Sequence, residues 1–88
     1  MIKEYKDNED FFNDVYKLQI ELEENGNIEA AKEIEEGMSL INGLTDGWSM
    51  FLESLNKVNS EYSSSFTKEE KQNLSFYISF TTKVLNHK

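Results

Sequence analysis

The sequence predicts an all-α protein, folded as an antiparallel, up-down-up-down four-helix bundle that forms a single domain over residues 1–88. Three observations support this prediction. Apolar residues recur at spacings of three and four along nearly the whole chain, which is the period of a helix that buries one face. Short segments rich in asparagine, glycine or serine interrupt this pattern at three places, and the chain contains no proline. Connections this short make consecutive helices antiparallel neighbours.

The first predicted helix covers about residues 9–24. Its core face is a row of apolar side chains at steps of four, three and four, with a second row one residue further round. Asn8 is expected to cap the N-terminus, and Asn25-Gly26 is expected to end the helix in a left-handed turn. The first row consists of Phe11, Val15, Leu18 and Leu22, and the second of Phe12, Tyr16 and Ile20.

The second predicted helix begins after Asn27, which can cap it, and ends at Asn42-Gly43. Its apolar face is narrow and carries small side chains, which let a neighbouring helix approach closely. The opposite face is expected to lie in water and carries Glu29, Glu33 and Glu36. The apolar face consists of Ala31, Ile34, Met38 and Ile41, with Ile28 and Ala30 beside them.

The third predicted helix has the clearest apolar pattern in the chain. Thr45 is expected to cap its N-terminus, and the helix ends before the serines at 63–65. Gly47 is expected to weaken the first turn by about 0.5–1 kcal/mol relative to alanine. The apolar residues follow a heptad seam, so this helix is expected to be the most buried. The seam is Leu44, Trp48, Phe51, Leu55, Val58 and Tyr62, flanked by Met50 and Leu52.

The fourth predicted helix opens with a capping box, Thr67-x-x-Glu70, and continues to about Asn86. Phe76 is expected to project well away from its apolar face, and Phe80 lies at the border of that face. An aromatic residue off the core face is either an interaction site or an ordinary exposed apolar residue. The apolar face consists of Leu74, Tyr77, Ile78, Thr81, Val84 and Leu85.

The net charge is strongly negative and unevenly distributed. The chain has 17 acidic and 9 basic residues, for a formal charge of −8, and every basic residue is a lysine. Residues 1–44 hold 12 of the acids and 4 of the lysines, whereas residues 45–88 hold 5 of each. Without arginine or clustered lysine, neither nucleic acid nor an anionic membrane is an expected partner. A basic partner protein is the electrostatic expectation, and solubility alone is the alternative.

The glutamates of the second helix are the leading candidate for a binding surface. Glu29, Glu33 and Glu36 follow one another at steps of four and three, so they share one helix face. The nearby Glu21, Glu23 and Glu24 extend this acidic patch, which thus covers residues 21–36. We expect them to steer a basic protein, with a merely solvated acidic face as the alternative. No metal ligand is predicted, because carboxylate sites in bundles add a Glu-x-x-His pair and the one histidine is His87, at the C-terminus.

No catalytic residue and no cofactor are predicted. The chain has no cysteine, its serines lack a glycine elbow, and a bundle of this size offers no cleft suited to catalysis. No apolar run is long enough to span a bilayer, and the N-terminus has no apolar signal core. The expectation is therefore a soluble, cytoplasmic protein.

Two central segments resemble short, acidic, all-helical uncharacterised bacterial proteins, in which a glutamate-rich helix ends at a glycine and threonine turn before an apolar helix. These segments are residues 30–37 (AAKEIEEG) and 43–52 (GLTDGWSMFL), about a third of the chain. In its size, acidity and helical content the chain also resembles small helical immunity proteins, which neutralise a toxin. This resemblance concerns general properties and rests on no shared motif. Neither resemblance assigns a role to any residue.

These observations lead to one functional hypothesis and two alternatives. The hypothesis is a non-enzymatic, acidic protein-binding module, whose sharpest form is an immunity- or antitoxin-like inhibitor of a basic partner, with Phe76 and Phe80 as further contact residues. The first alternative is a bundle that binds a small ligand around Trp48, Met50 and Phe51. The second is a structural homodimer that buries Phe76 and Phe80.

Overall fold

The computed structural model of the chain describes residues 8–41 and 45–86. Within these ranges it contains four α-helices, a short 3-10 helix and no strand. Consecutive helices pack against each other, and α1 also contacts α4, so the predicted all-α, up-down-up-down four-helix bundle is confirmed. No helix within those ranges is long and apolar enough to cross a membrane. The elements are α1 (Asn8–Glu24), α2 (Ile28–Ser39), α3 (Thr45–Glu61), the 3-10 helix (Ser63–Ser65) and α4 (Lys68–Asn86).

The helix boundaries match the sequence prediction closely where the structure describes them. Asn8 and Thr45 are the first residues of α1 and α3, although the capping role expected of their side chains lies outside what the structure describes. The predicted end of the second helix at Asn42-Gly43, the seam residue Leu44 and His87 also lie outside the described residues.

The turn between α1 and α2 is a Schellman motif built on a glycine. Gly26 has a φ of 90°, the left-handed conformation predicted for it. Its N–H donates to the carbonyl of Glu23 at 3.1 Å, and the N–H of Asn27 donates to the carbonyl of Leu22 at 2.7 Å. The predicted capping role of Asn27 is wrong, because its side chain makes no cap bond with α2. Its Oδ1 instead accepts a hydrogen bond from Ser65 Oγ at 2.8 Å.

The core is formed by the main apolar row of each helix. Two residues of the second row of α1 are not part of it, because Tyr16 is 54% and Ile20 39% exposed. The third, Phe12, is half-buried and packs against the core, where its ring stacks on Trp48 of α3. The buried apolar residues are Phe11, Val15, Leu18, Leu22, Ala30, Ala31, Ile34, Phe51, Leu55, Val58, Phe66, Leu74 and Tyr77.

Aromatic rings fill one region of the core and join three helices. The Phe11 ring of α1 stacks on Phe80 of α4, with centroids 4.2 Å apart. Phe51 of α3 and Tyr77 of α4 present edges to the same ring, at 6.1 and 5.7 Å. Trp48 stacks on Phe11 at 6.2 Å, in agreement with its predicted place in the α3 seam. Each such ring pair adds about 0.5–1.5 kcal/mol to the stabilisation from area burial.

Two hydrogen bonds fix α1 between its neighbours. The Tyr77 hydroxyl of α4 donates to the carbonyl of Asp14 at 3.0 Å. On the other side, Gln19 is only 5% exposed and its Nε2 donates to Glu35 of α2 at 3.0 Å. Buried polar groups carry a large cost unless they are bonded, so both pairs favour one arrangement of the three helices.

The helices α2 and α3 are in close contact at a glycine. A Cβ atom at Gly37 would lie 2.8 Å from the Cβ of Ser54 and 3.1 Å from a ring carbon of Phe51. Gly47 is similarly constrained, because a Cβ there would collide with the carbonyl oxygen of Leu40. Gly47 is expected to lower the stability of the first turn of α3. It also permits a tight backbone contact with Leu40 that a residue with a side chain would prevent.

Replacing Gly37 by alanine is expected to destabilise the bundle. The added Cβ requires Ser54 and α3 to move, which costs about 1–3 kcal/mol and exceeds the gain of about 0.5–1 kcal/mol from better helix propensity. The free energy of unfolding in urea, measured for the wild type and Gly37→Ala, tests this.

The matched control is the same substitution in a Ser54→Gly background. Removing the Ser54 Cβ takes away the closest contact, so Gly37→Ala should then be neutral or stabilising. An equal loss of stability in both backgrounds would contradict the close approach of α2 and α3 at this point.

Candidate protein-binding surface

The three glutamates predicted as a binding surface line one open cleft on the outside of the bundle. Glu29, Glu33 and Glu36 share its walls with Lys32 and Tyr62, and the cleft encloses about 320 Å³. Glu29 and Glu36 are exposed, whereas Glu33 and Tyr62 are half-buried. We refer to the space enclosed by these five residues as the acidic cleft.

The packing of α2 on α3 explains how the acidic cleft forms. The buried residues Ala30 and Ile34 turn one face of α2 to the core and leave the glutamates on an outer face. Because the two helices are antiparallel, the end of α3 lies beside the start of α2 and brings Tyr62 to the glutamates. The sequence assigned Tyr62 only to the α3 seam, and its position at the very end of that seam was the available signal for a partly exposed ring.

Two lysines offset part of the charge of the acidic cleft: Lys32 lines it, and Lys57 pairs directly with one of its glutamates. Lys57 Nζ on α3 lies 3.2 Å from Glu33 Oε1, and this hydrogen-bonded contact raises the pKa of Lys57 above its ordinary value. Among the described residues, Glu29 and Glu36 form no ion pair. The acidic cleft therefore holds three carboxylates with one direct cationic partner.

Metal binding has no structural support within the described ranges. No group of three acidic or histidine side chains there is arranged to hold a metal ion.

The two aromatic residues predicted as contacts lie on α4, away from the acidic cleft, and pack against the core of their own chain. Phe80 is half-buried and stacks on Phe11. Phe76, which was predicted to project well away from the apolar face of the fourth helix, is also half-buried and packs against the core. The sequence pattern defines a single apolar face for α4, but α4 packs against both α3 and α1. Phe76 is therefore partly covered although it lies off that face. The exposed large apolar residues in the described ranges are Tyr16, Ile20, Ile28, Leu40 and Met50.

The three residues suggested for a small-ligand pocket differ in their burial. Phe51 is fully buried, Met50 is 44% exposed, and Trp48 stacks on Phe11 and Phe12. Trp48 and Phe51 are thus core residues, and Met50 lies on the surface.

A second polar cluster joins the two turns at one end of the bundle. The predicted capping box is confirmed, because Thr67 N–H donates to Glu70 Oε1 at 2.8 Å and Glu70 N–H donates to Thr67 Oγ1 at 3.1 Å. The other oxygen of Glu70 accepts a hydrogen bond from Asn25 Nδ2, in the α1–α2 turn, at 2.9 Å. We call this cluster of Asn25, Thr67 and Glu70 the turn junction. The sequence showed the cap but gave no signal for the contact with Asn25, which is 45 residues away from Glu70.

Comparisons with known proteins find no match to this chain among family models, curated proteins or solved structures. Its function is inferred from the chemistry of its own surface.

Neutralising the acidic cleft is expected to leave the fold intact. In the variant Glu29→Gln, Glu33→Gln, Glu36→Gln, we expect the free energy of unfolding to stay within about 1 kcal/mol of the wild type. The partly exposed ion pair between Lys57 and Glu33 contributes little, and the like charges repel one another at helical spacing. Urea unfolding measures this, and a loss above about 2 kcal/mol would show that the glutamates have a structural role.

Truncating Phe80 is expected to damage the fold. Phe80→Ala removes the ring stacked on Phe11, and we expect a loss of about 2–4 kcal/mol in the same assay. Tyr16→Ala is the control, because this ring is 54% exposed and its loss should cost less than about 1 kcal/mol. Equal effects of the two substitutions would show that Phe80 is a surface residue.

Proposed function

We propose that this chain is a non-enzymatic module that binds a basic partner protein through the acidic cleft. The observation that carries the proposal is the convergence of Glu29, Glu33 and Glu36 on one open space with Tyr62. A lysine or arginine side chain from a partner can bond the carboxylates and lie against the tyrosine ring. Carboxylates on a surface without such a ring would favour the alternative interpretation, an acidic face that only contacts water.

The charges around the acidic cleft favour association with a cation. The glutamates of α2 repel one another by a few tenths of a kcal/mol per pair, and a bound cationic side chain removes this repulsion. The negative charge of the whole N-terminal half attracts a basic protein from a distance and raises the association rate. Glu33 is half-buried and already paired with Lys57, so the exposed carboxylates of Glu29 and Glu36 are the ones open to a partner's cation.

An immunity- or antitoxin-like inhibitor is the sharpest form of this proposal. A protein that binds nucleic acid presents a basic surface to the phosphates. A small acidic bundle that covers such a surface blocks it without a catalytic group. The sequence fits this role, because it contains no cysteine nucleophile and no arginine.

A charge-reversal capture experiment tests the proposal. The wild-type chain is immobilised and exposed to lysate from its source cells, in parallel with the variant Glu29→Lys, Glu33→Lys, Glu36→Lys. We expect the variant to retain the partner at least about tenfold less, which corresponds to about 1.4 kcal/mol of binding free energy. High salt should release the partner from the wild type, because exposed charge contacts are screened.

A matched variant separates the acidic cleft from net charge. Reversing Glu9, Glu53 and Glu69, exposed residues outside both the cleft and the acidic patch of residues 21–36, changes the total charge equally. This control should still capture the partner. If both variants lose it equally, or if neither does, the acidic cleft is not the binding site.

A further inference from the structure

A second open space lies on the other side of α2, between α2 and α1. It encloses about 200 Å³ and has a closely packed base, because Ala31 is 1% and Gln19 5% exposed. The Gln19 side chain is held in place by its hydrogen bond to Glu35, at 3.0 Å. We call this space the α1–α2 groove. Its lining residues are Gln19, Glu23, Ile28, Ala31, Lys32 and Glu35.

A third space, of about 220 Å³, joins the α1–α2 groove to the acidic cleft around the first turn of α2. It shares Ile28 with the groove, and it shares Glu29 and Tyr62 with the cleft. Lys32 in turn lines both the groove and the cleft. These shared residues place the three spaces side by side, so they form one surface around the N-terminal half of α2.

Ile28 is the apolar residue at the centre of this surface. Its side chain is 60% exposed, more than that of any other large apolar residue in the described ranges. An isolated exposed apolar residue is ordinary on a protein surface. Ile28 differs because it lines two adjoining spaces, so an apolar side chain of a partner can enter beside it and leave water.

The charge around Ile28 determines what kind of occupant fits. Five glutamates and one lysine line the three spaces, and Lys57 pairs with one of these glutamates. This excess of negative charge favours a segment with cationic side chains. A second copy of the chain, with its own charge of −8, is repelled. The charged lining residues are Glu23, Glu29, Lys32, Glu33, Glu35 and Glu36.

We propose that the partner's binding segment carries an apolar side chain that packs on Ile28, flanked by lysine or arginine side chains that reach carboxylates on both sides of α2. The acidic cleft binds one of the flanking cations, and Glu23 and Glu35 of the α1–α2 groove bind the other. The proposal rests on the function proposed above and adds the chemistry that the partner's segment must have. Charge attracts basic segments of any sequence, whereas the apolar contact on Ile28 selects among them.

Two synthetic peptides of equal length and charge test the proposal, Lys-Lys-Leu-Lys-Lys and Lys-Lys-Ser-Lys-Lys, both with blocked ends. Each is titrated into the isotope-labelled chain, and its dissociation constant is fitted from the NMR shifts of backbone amides. We expect the leucine peptide to bind the wild type at least about fivefold tighter, because it buries apolar surface that the serine peptide lacks. It should shift the amides of Glu33 in the cleft and of Glu35 in the groove together.

In Ile28→Ser the preference for the leucine peptide should disappear, while the affinity for the serine peptide stays unchanged. The control is Met50→Ser, which removes a side chain that is 44% exposed on α3 and should keep the preference.

Equal affinity of the two peptides for the wild type, or a preference that survives Ile28→Ser, overturns this proposal alone. If neither peptide shifts the amides of the acidic cleft, the proposed function fails with it. An Ile28 amide shift that changes on dilution of the free chain would show that a second copy covers the surface, and would also overturn the proposal.

Discussion

The close packing of α2 against α3 at Gly37 determines the surface of this bundle as well as its core. With no side chain at Gly37, the backbone of α2 approaches Ser54 closely enough that an added Cβ would lie 2.8 Å from the serine Cβ. This contact fixes which parts of the two helices lie side by side. Further along the pair, the same register places Lys57 beside Glu33, and Tyr62 at the edge of the acidic cleft. The geometry of the acidic cleft thus depends on the absence of a Cβ atom at Gly37.

The elements of the fold were predictable because each is specified locally. Apolar spacing defines a buried helix face, and Gly26 or the Thr67–Glu70 box defines a helix end within a few residues. The three glutamates of the acidic cleft were predictable for the same reason, since they share a face of a single helix. Features that depend on two elements were not. Tyr62 reaches the acidic cleft from another helix, and Asn25 contacts a residue that follows it by 45 positions.

The corrections have the same origin. A side chain near the border of one helix face is buried or exposed according to the neighbour that packs beside it. Phe76 is half-buried because α4 contacts two helices, whereas Tyr16 lies beyond the contacts of α1 and remains largely in water. Asn27 has a cap position but bonds Ser65, because the two turns meet at that end of the bundle. None of these neighbours can be identified from the periodicity of one segment.

The bundle holds carboxylates in two different settings. At the turn junction the single buried carboxylate, that of Glu70, is satisfied within the chain, because it accepts hydrogen bonds from the Thr67 N–H and from Asn25 Nδ2. In the acidic cleft the carboxylates are spread along an open surface, where a nearby cation relieves their mutual repulsion. Lys57 does this for Glu33 alone. Glu29 and Glu36 gain most from a cation that another protein supplies, and for this reason the acidic cleft, and not the turn junction, is the surface that favours a basic partner.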